Sequence, residues 1–484
     1  MQHITGHRLA TMLGPPDPAH SAYLWLADGI HTLIADGRLL HGTRLPSERE
    51  LLSALGVSRT TVTRAYAVLA ERGYAAARRG SGTIAQLPGG PVAGGGEPVP
   101  GWDGNNVGLD DAGPDVIDLR RAAPPAPPGL REAVAAASDR LAAYLGGAGY
   151  YPLGVPALRE SIARRYTERG ALTDPTQIVV TCGAVAGLSV VTRALVSRGD
   201  RVVIETPTYA HSLAALERAG ARLVPVPIGP TEPDLHHGEV RDRALVGGAT
   251  AMLAMPDFHN PTGISLDDAQ RAELADRWRR LGVVGIVDET LVETRLDEAS
   301  DPLAMAAHAG ECISIGSASK TYWGGLRIGW VRAPRALVGA IASARLSLDL
   351  GAPVLELLIT AELMRVSATM HPAQRTACQE SCATLLELRE VLPQWEVRVP
   401  SGGLCLWWRM PLPRASRFAQ LMRERGVLLD PGGVQAVRGQ GLAHFIRTPF
   451  TLPSSTLRSV IPVFAHAWEQ VLAEEGSRTA RLDG

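Results

Sequence analysis

The sequence predicts a small N-terminal module of helices with a hairpin, followed by a large α/β unit with a mainly parallel sheet. Three observations support this. Apolar residues within residues 1–85 recur at helical spacing. Residues 86–115 hold nine Gly and five Pro, the composition of a linker. From 116 to about 475, short β-branched runs alternate with helical stretches, and a smaller C-terminal α/β lobe is expected from about 350.

Composition places the chain among globular proteins of about three domains. It has 484 residues, 45% of them apolar, and 48 basic against 49 acidic residues leave a formal net charge of −1. No overall field therefore directs it to nucleic acid or to membrane. Five cysteines without a Cys-x-x-Cys pair argue against a disulfide framework and a metal site, and a reducing cytoplasm is the expected location. No uncharged stretch is apolar enough to predict a membrane span, and the Pro-rich start does not resemble a signal peptide.

Three helices and a hairpin are predicted in the N-terminal module. The first helix covers about 21–37. The second begins at Ser47, which stands three residues before Glu50 as in a capping box, and Ser58 caps the third after a Gly56-Val57 turn. The residues predicted to face inward are Leu26, Ile30, Leu33, Ile34, Leu51, Leu52, Leu55, Val62, Ala65, Tyr66 and Leu69.

The third helix presents arginine and hydroxyl side chains outward at its N-terminal end. Helix, glycine turn and second helix is the arrangement that a helix-turn-helix uses to place side chains against bases and phosphates. Residues 1–85 hold nine Arg against three Asp and three Glu, a local charge of +3. A packing or protein-interaction module remains the alternative. The residues predicted to contact double-stranded DNA are Arg44, Ser47, Arg49, Ser58, Arg59, Thr60, Thr61, Arg64, Arg78 and Arg79.

Three motifs in this module occur in a fixed order: Arg44-Leu-Pro-Ser-Glu-Arg-Glu-Leu, Gly56-Val-Ser-Arg-Thr-Thr-Val, and Gly73-Tyr followed by Arg79-Gly-Ser-Gly-Thr. Together they resemble the winged helix-turn-helix of GntR-type transcription regulators over about residues 20–85. The resemblance implies binding to a DNA operator.

In the large unit, the distribution of basic residues points to one position. Of the 48 basic residues, 47 are arginine and one is lysine, Lys320. A lysine amine can form a Schiff base with a carbonyl compound, which a guanidinium cannot do at neutral pH. Lys320 follows a predicted strand and the hydroxyls of Ser317 and Ser319, and Arg327 comes seven residues later. An amine with phosphate-binding hydroxyls and a guanidinium is what pyridoxal 5′-phosphate requires.

Other polar or aromatic residues follow other predicted strands, where parallel sheets bind ligands. Gly183 and Ala184 begin a helix whose N–H groups could hold a phosphate. Tyr209 could stack on a flat ring, Asn260 lies in a Pro-rich turn, and Asp288 ends an apolar strand, where a buried carboxylate needs a cationic partner. A protonated pyridine nitrogen would be one such partner.

Asn260-Pro-Thr-Gly, Asp288, Ser317-x-Ser-Lys320 and Arg327 resemble, in order and separation, the fold-type I pyridoxal-phosphate enzymes of the aspartate aminotransferase family. The resemblance implies that Lys320 forms the Schiff base as the catalytic lysine, and that Asp288 pairs with the pyridine nitrogen. It further implies that Arg447 receives a substrate carboxylate, although a surface ion pair is the alternative for Arg447. The remaining cofactor-binding residues that it implies are Asn260, Tyr209, Ser317, Arg327, Gly183 and Ala184.

Two departures from the family pattern stand out. No tyrosine follows the strand-end aspartate, because the sequence reads Asp288-Glu-Thr290-Leu. Loss of that donor would alter proton transfer at the cofactor. The glycine often found near the start of the domain is replaced by Leu119-Arg-Arg-Ala-Ala-Pro, so the mouth of the site is expected to differ.

The combination of both domains resembles the MocR-type regulators. The resemblance implies a homodimeric, pyridoxal-phosphate-dependent transcription regulator that senses an amino acid or amine. Two other hypotheses stay open: an active aminotransferase that carries a DNA-binding domain, and a cofactor-free dimerisation scaffold.

Overall fold

The computed structural model describes residues 3–16, 21–35, 39, 41–78, 82–88, 116–229, 244–439 and 441–482. Arg79 and residues 89–115, which hold most of the predicted linker, lie outside these ranges. The chain divides into two compact units, one containing the N-terminal module and the other the large α/β part.

The described residues of the N-terminal unit form four helices and one antiparallel hairpin. The hairpin pairs Ala75 with Ala85 and Arg78 with Gly82. The elements are α1 (Gly6–Leu13), α2 (Ala22–Ala35), α3 (Glu48–Leu55), α4 (Arg59–Glu71), β1 (Ala75–Arg78) and β2 (Gly82–Ala85).

Both predicted helix caps of this unit are present. The Ser47 hydroxyl accepts from the Glu50 N–H at 3.3 Å, and the Glu50 carboxylate accepts from the Ser47 N–H at 2.7 Å. The Ser58 hydroxyl accepts from the Thr61 N–H at 3.1 Å. Gly56 ends α3 in the left-handed conformation, with φ +66°, which favours glycine. The predicted inward-facing residues are buried in α2 and α4, while Leu52 and Leu55 of α3 are only partly buried.

The sequence predicts three helices in this unit, and α1 is not among them. Thr5 caps this helix, and Leu9 is its fully buried apolar side chain. Eight residues with so few buried apolar positions produce no clear 3.6-residue periodicity. Gly6 lets α1 approach α3 closely, because a Cβ at Gly6 would stand 2.7 Å from the Glu50 carbonyl oxygen.

The large unit contains the remaining elements. Its helices are α5 (Leu130–Leu141), α6 (Pro156–Glu168), α7 (Ala184–Leu195), α8 (Ala210–Arg218), α9 (Asp268–Leu281), α10 (Met305–His308), α11 (Arg335–Leu346), α12 (Val354–Val366), α13 (Pro372–Leu386), α14 (Leu388–Val391), α15 (Ala415–Arg423) and α16 (Ser454–Leu482). Its strands are β3 (Ile117–Asp118), β4 (Ile178–Thr181), β5 (Arg201–Thr206), β6 (Arg222–Pro227), β7 (Ala251–Ala254), β8 (Val284–Asp288), β9 (Ile313–Ser317), β10 (Gly329–Arg332), β11 (Glu396–Val397), β12 (Cys405–Arg409), β13 (Val427–Leu428), β14 (Asp430–Pro431) and β15 (Phe445–Pro449).

A seven-stranded sheet forms the centre of the large unit. Its strand order is β4-β10-β9-β8-β7-β5-β6. Strands β9, β8, β7, β5 and β6 pair in parallel, whereas β10 pairs antiparallel with both β4 and β9. The prediction of a mainly parallel sheet is confirmed. The β-branched runs that predict its strands lie at 177–181, 201–204, 223–227, 249–254, 283–287 and 312–315, and each begins and ends within two residues of the observed strand.

Strand β10 was not predicted. It covers only Gly329–Arg332, directly after the polar segment that holds Lys320 and Arg327. Four residues with two apolar side chains are too short for a periodic signal. In the sheet β10 lies between β4 and β9, so that Gly329 pairs with both Thr181 and Ser317.

The C-terminal lobe is built on a four-stranded antiparallel sheet of order β11-β12-β15-β14. Its core contains an aromatic cluster in which the Trp395 ring makes edge contacts with Trp408, Phe418, Phe464 and Trp468. Strand β3 pairs with β13 of this lobe, so the segment that begins at residue 116 is anchored there.

No helix within the described ranges is long and apolar enough to cross a membrane. Among the same residues, no group of His, Cys, Asp and Glu side chains is arranged to hold a metal ion.

Candidate functional sites

The carboxyl ends of the parallel strands bring the predicted site residues of the large unit to one edge of the sheet. Gly183 follows β4, Tyr209 follows β5, and Asn260 follows β7. Asp288 is the last residue of β8, and Lys320 comes three residues after the end of β9. Because these strands run in the same direction, their ends meet at one edge.

Lys320 lies in this site with an unusually acidic ammonium group. Its Nζ donates to the carbonyl oxygen of Ala122 at 2.7 Å. Burial, together with the guanidinium groups of Arg447 and Arg327, lowers the pKa of Lys320 to about 8, although Asp288 acts in the opposite direction. A much larger fraction of this amine is therefore neutral near pH 7 than for an exposed lysine.

The Asp288 carboxyl group is buried at the end of β8. Its Oδ1 accepts from the Thr290 N–H at 3.0 Å. Burial raises the pKa of Asp288, while the bonds from Thr290 and the charge of Lys320 oppose that rise. No ion pair of Asp288 occurs among the described residues. A cation placed against this carboxylate would offset the cost of its burial.

Asn260 and Tyr209 lie near the same groups. The Asn260 Oδ1 accepts from the Arg447 Nη1 at 3.3 Å, and the Cys405 thiol lies 3.8 Å from the same oxygen. Tyr209 is partly buried at the start of α8. Burial raises the pKa of Tyr209, and the Arg447 guanidinium lowers it.

At the start of α7, the Arg327 guanidinium lies beside Gly183, the residue that directly precedes the helix. A Cβ at Gly183 would stand 2.7 Å from the Arg327 Nη2, so glycine leaves room for this guanidinium beside the helix N-terminus; the φ of Gly183, +93°, also favours glycine. Arg327 is exposed, and no acidic partner occurs among the described residues. Ser317 is buried nearby at the end of β9, where its hydroxyl accepts from the Ser319 N–H at 3.1 Å. A guanidinium and the N–H groups at a helix start form an anion-binding arrangement.

Arg447 is buried, so it does not form the surface ion pair that the sequence leaves as an alternative. It lies on β15, is 3% exposed, and its Nη2 donates to the Asp430 Oδ2 at 3.1 Å. The same nitrogen donates to the carbonyl oxygen of Arg120.

Three groups in this site have no role predicted from the sequence: the Asp430 carboxylate and the carbonyls of Arg120 and Ala122. The segment 119–122 was expected only to alter the mouth of the site. Strand β3 directly precedes this segment, and its pairing with β13 places the segment at the site. The Thr451 hydroxyl donates to the Arg121 carbonyl at 3.2 Å. Backbone carbonyls leave no sequence signal, whereas a carboxylate near the arginine motif could have been considered.

In the N-terminal unit, α3 and α4 form the candidate DNA-binding surface. Arg59, Thr60 and Arg64 are exposed on α4, and Thr61 is partly buried because its hydroxyl and N–H meet the Ser58 hydroxyl at the cap. The Ser47 hydroxyl is engaged in the capping box of α3.

Neighbouring side chains hold two of these arginines. The Arg59 Nε donates to the Glu48 carboxylate at 3.0 Å, which leaves its terminal nitrogens for other partners. The Arg64 guanidinium lies 3.8 Å from the centre of the Tyr23 ring. Arg44 and Arg49 are also exposed, Arg78 ends β1, and the predicted contact Arg79 lies outside the described residues.

Comparison with known proteins identifies relatives for both units. The family model "Bacterial regulatory proteins, gntR family" matches residues 22–84, and "Aminotransferase class I and II" matches residues 114–463. The chain is 26% identical over 434 residues to the uncharacterized HTH-type transcriptional regulator YisV of Bacillus subtilis, covering 82% of this chain and 86% of YisV. It is 30% identical over 314 residues to the arginine–pyruvate transaminase AruH of Pseudomonas aeruginosa, covering 63% of this chain and 78% of AruH.

Among solved structures, one similar fold is that of LysN, an α-aminoadipate aminotransferase from Thermus thermophilus in complex with N-(5′-phosphopyridoxyl)-L-leucine. The TM-score is 0.66 at 24% identity, and the match covers 74% of this chain and 94% of LysN. The fold of the large unit is therefore that of the aminotransferases.

Proposed function

The chain belongs to the class I and II aminotransferase family, and because a GntR-type domain precedes its aminotransferase domain, we propose that it is a pyridoxal-phosphate-dependent transcription regulator. The winged helix binds an operator in double-stranded DNA. The aminotransferase-like domain binds the cofactor at Lys320 and senses an amino acid or amine. The observation that carries this proposal is the union, in one chain, of a GntR-type domain with a site that contains Lys320, Asp288 and Asn260.

The residues present fit pyridoxal phosphate. Asp288 is a buried carboxylate without an ion-pair partner among the described residues, which suits a protonated ring nitrogen. The exposed Arg327 guanidinium over the start of α7 suits a phosphate dianion, since Gly183 leaves room for it. Lys320 supplies the amine that the aldehyde requires.

When bound, pyridoxal phosphate supplies an electrophilic carbonyl carbon and an electron-withdrawing ring. Lys320 would hold the cofactor through its amine, and its lowered pKa of about 8 increases the fraction of that amine that is neutral and nucleophilic. Asp288 would pair with a protonated ring nitrogen, Asn260 would donate to the ring hydroxyl, and Tyr209 would stack on the ring. Ser317, Arg327 and the N–H groups near Gly183 and Ala184 would hold the phosphate.

Arg447 is the proposed effector-binding residue, because it lies 3.3 Å from Asn260 and its charge influences Lys320. An effector amine would compete with the Lys320 amine for the cofactor, and the resulting change in the site would alter how the winged helices bind DNA. The protein acts as a homodimer. It binds its operator in the cytoplasm. Coupling of this kind requires an effector that binds two conformations with different affinity.

For the DNA half, the candidate contacts are Arg44, Ser47, Arg49, Ser58, Arg59, Thr60, Thr61, Arg64, Arg78 and Arg79. Arg59→Ala and Arg64→Ala are expected to weaken operator binding about tenfold or more without changing cofactor binding. Arg72→Ala is the matched control, because Arg72 caps the opposite end of α4 and pairs with Asp28. Fluorescence anisotropy at several salt concentrations measures the affinity; unchanged binding by both variants would remove α4 as the recognition helix.

The visible absorption spectrum with pyridoxal phosphate tests the cofactor half. Wild type is expected to show a band that borohydride bleaches, and Lys320→Ala is expected to lack it. Identical spectra of the two proteins would leave the large domain as a scaffold without cofactor chemistry.

A second candidate function is an active aminotransferase, favoured by the identity with AruH and by the full set of Lys320, Asp288, Asn260 and Arg447. The absence of a tyrosine after Asp288 counts against it. Turnover of L-arginine with pyruvate, lost in Lys320→Ala, would support the enzyme. No turnover across a broad panel of amino acids and 2-oxo acids would leave the regulator.

A further inference from the structure

We propose that Asp430 is a specificity-determining residue that competes with a ligand carboxylate for Arg447, so that the effector site favours amines without a carboxylate over the corresponding amino acids. The inference rests on the proposed function, because it takes the surroundings of Lys320 and Arg447 as the effector site.

Asp430 and Arg447 are directly opposed in the sheet of the C-terminal lobe. Strand β14 pairs antiparallel with β15, and Asp430 is the register partner of Arg447. The Asp430 Oδ2 lies 3.1 Å from the Arg447 Nη2. Their side chains are only 5% and 4% exposed, so the pair is little screened by water.

The Arg447 nitrogen that a ligand carboxylate would need, Nη2, already donates hydrogen bonds to other groups. Nη2 donates to both Asp430 and the Arg120 carbonyl, and Nη1 donates to Asn260. Nε is buried and has no partner among the described residues. A guanidinium binds a carboxylate with two nitrogens, either Nε with Nη2 or Nη1 with Nη2. Both geometries need a hydrogen on Nη2, so a ligand carboxylate must displace Asp430 or the Arg120 carbonyl.

Two carboxylates already face the guanidinium groups of this region. Arg120, whose side chain is 5% exposed, forms two bonds to Asp118 at 2.9 Å and 3.1 Å, while Arg447 pairs with Asp430. A ligand carboxylate at Arg447 would bring a further negative group next to the buried Asp430, and like charges in a buried site repel strongly. A ligand amine without a carboxylate does not meet this repulsion. Such rejection through an unfavourable group is a common basis of specificity.

Two matched ligand pairs test the inference on the full-length protein loaded with pyridoxal phosphate. The pairs are L-arginine with agmatine and L-leucine with 3-methylbutylamine, which differ only in the carboxylate. Dissociation constants are measured by titration calorimetry for wild type, Asp430→Asn and Asp430→Ala. Melting temperature and the cofactor absorption band show whether each variant is folded and loaded.

In wild type, we expect each amine to bind at least as tightly as its amino acid. In Asp430→Asn, the affinity for both amino acids should rise about tenfold or more, while the affinity for the amines changes less than threefold. Asp430→Ala should give the same pattern as Asp430→Asn, a rise in affinity for the amino acids with little change for the amines, because both variants remove the charge and only Asp430→Asn keeps the shape of the side chain.

Two results would overturn the inference. One is a wild type that binds the amino acids more than tenfold tighter than the amines, a result that needs no variant. The other is an equal change for both ligand classes in the Asp430 variants. Absence of binding by all four ligands to every variant would contradict the effector site of the proposed function itself, and the inference with it.

Discussion

Lys320 combines a chemical role that no other residue of the chain can fill with an environment that prepares it for that role. It is the only lysine, and burial together with Arg447 and Arg327 brings its pKa to about 8. Arginine elsewhere in the sequence supplies charge but no nucleophilic amine. The residue type was evident from the sequence, whereas the lowered pKa arises from neighbours on distant segments.

We therefore expect the rate of covalent cofactor attachment to Lys320 to rise with pH and to reach half its maximum near pH 8. The neutral amine is the nucleophile, and its fraction grows as pH passes the pKa. Stopped-flow absorbance between pH 6 and 10 measures this rate, with Nα-acetyl-lysine as the reference for an unshifted amine. A midpoint above pH 10 would show that burial does not act on this amine.

Arg327 is expected to recognise the phosphate of the cofactor specifically. Arg327→Ala should weaken pyridoxal phosphate binding about tenfold or more, because a charge-assisted hydrogen bond contributes about 1.5–3 kcal/mol. Binding of pyridoxal, which lacks the phosphate, should change little.

Arg193→Ala is the matched control, since Arg193 is exposed in the last turn of α7, at the opposite end of that helix from the Arg327 guanidinium. Equal losses for pyridoxal and pyridoxal phosphate in Arg327→Ala would indicate a structural role. Equilibrium dialysis with both compounds separates the two interpretations.

At the scale of elements, short-range signals determined the N-terminal unit closely. The capping box of Ser47 and Glu50 and the cap at Ser58 could be predicted because each joins residues three positions apart. Helix α1 could not, since its burial depends on a close approach of Gly6 to Glu50. Strand β10 likewise owes its place to the partners on both sides of it.

Loss of the α3 cap should loosen that helix measurably. Ser47→Ala is expected to lower the free energy of opening α3 by about 1 kcal/mol, because the hydroxyl that accepts from the Glu50 N–H is removed. Amide hydrogen exchange of residues 48–55 in the full chain should then be about fivefold faster.

Ser53→Ala is the matched control, since Ser53 is exposed within α3 and alanine favours the helix. Exchange that is unchanged in Ser47→Ala, or equally accelerated in Ser53→Ala, would show that the cap does not limit the stability of α3.

At the scale of the whole molecule, the proposed function requires that the two units influence each other. A bound effector should change operator affinity by a factor of about 5–150, the usual range of coupling between sites. Fluorescence anisotropy with labelled operator measures this change in wild type and in Lys320→Ala.

Lys320→Ala should bind the operator with the basal affinity and show no response, because the proposed response to the effector requires the amine of Lys320. By reciprocity, operator DNA must change effector affinity by the same factor. A factor of one in both directions would leave DNA binding and the aminotransferase-like site as independent functions.

The sequence by itself determined which elements form and which residues stand at the strand ends. Helix periodicity, caps and β-branched runs are local, and the positions of Lys320, Asp288 and Asn260 follow from strands that end at or just before them. The family and the two-part organisation were also evident there. Tertiary structure alone decided what these residues meet. Arg447 contacts Asp430 and the carbonyl of Arg120, which is 327 positions away in the chain. Such contacts depend on how strands from separate segments pack, and no local pattern encodes them.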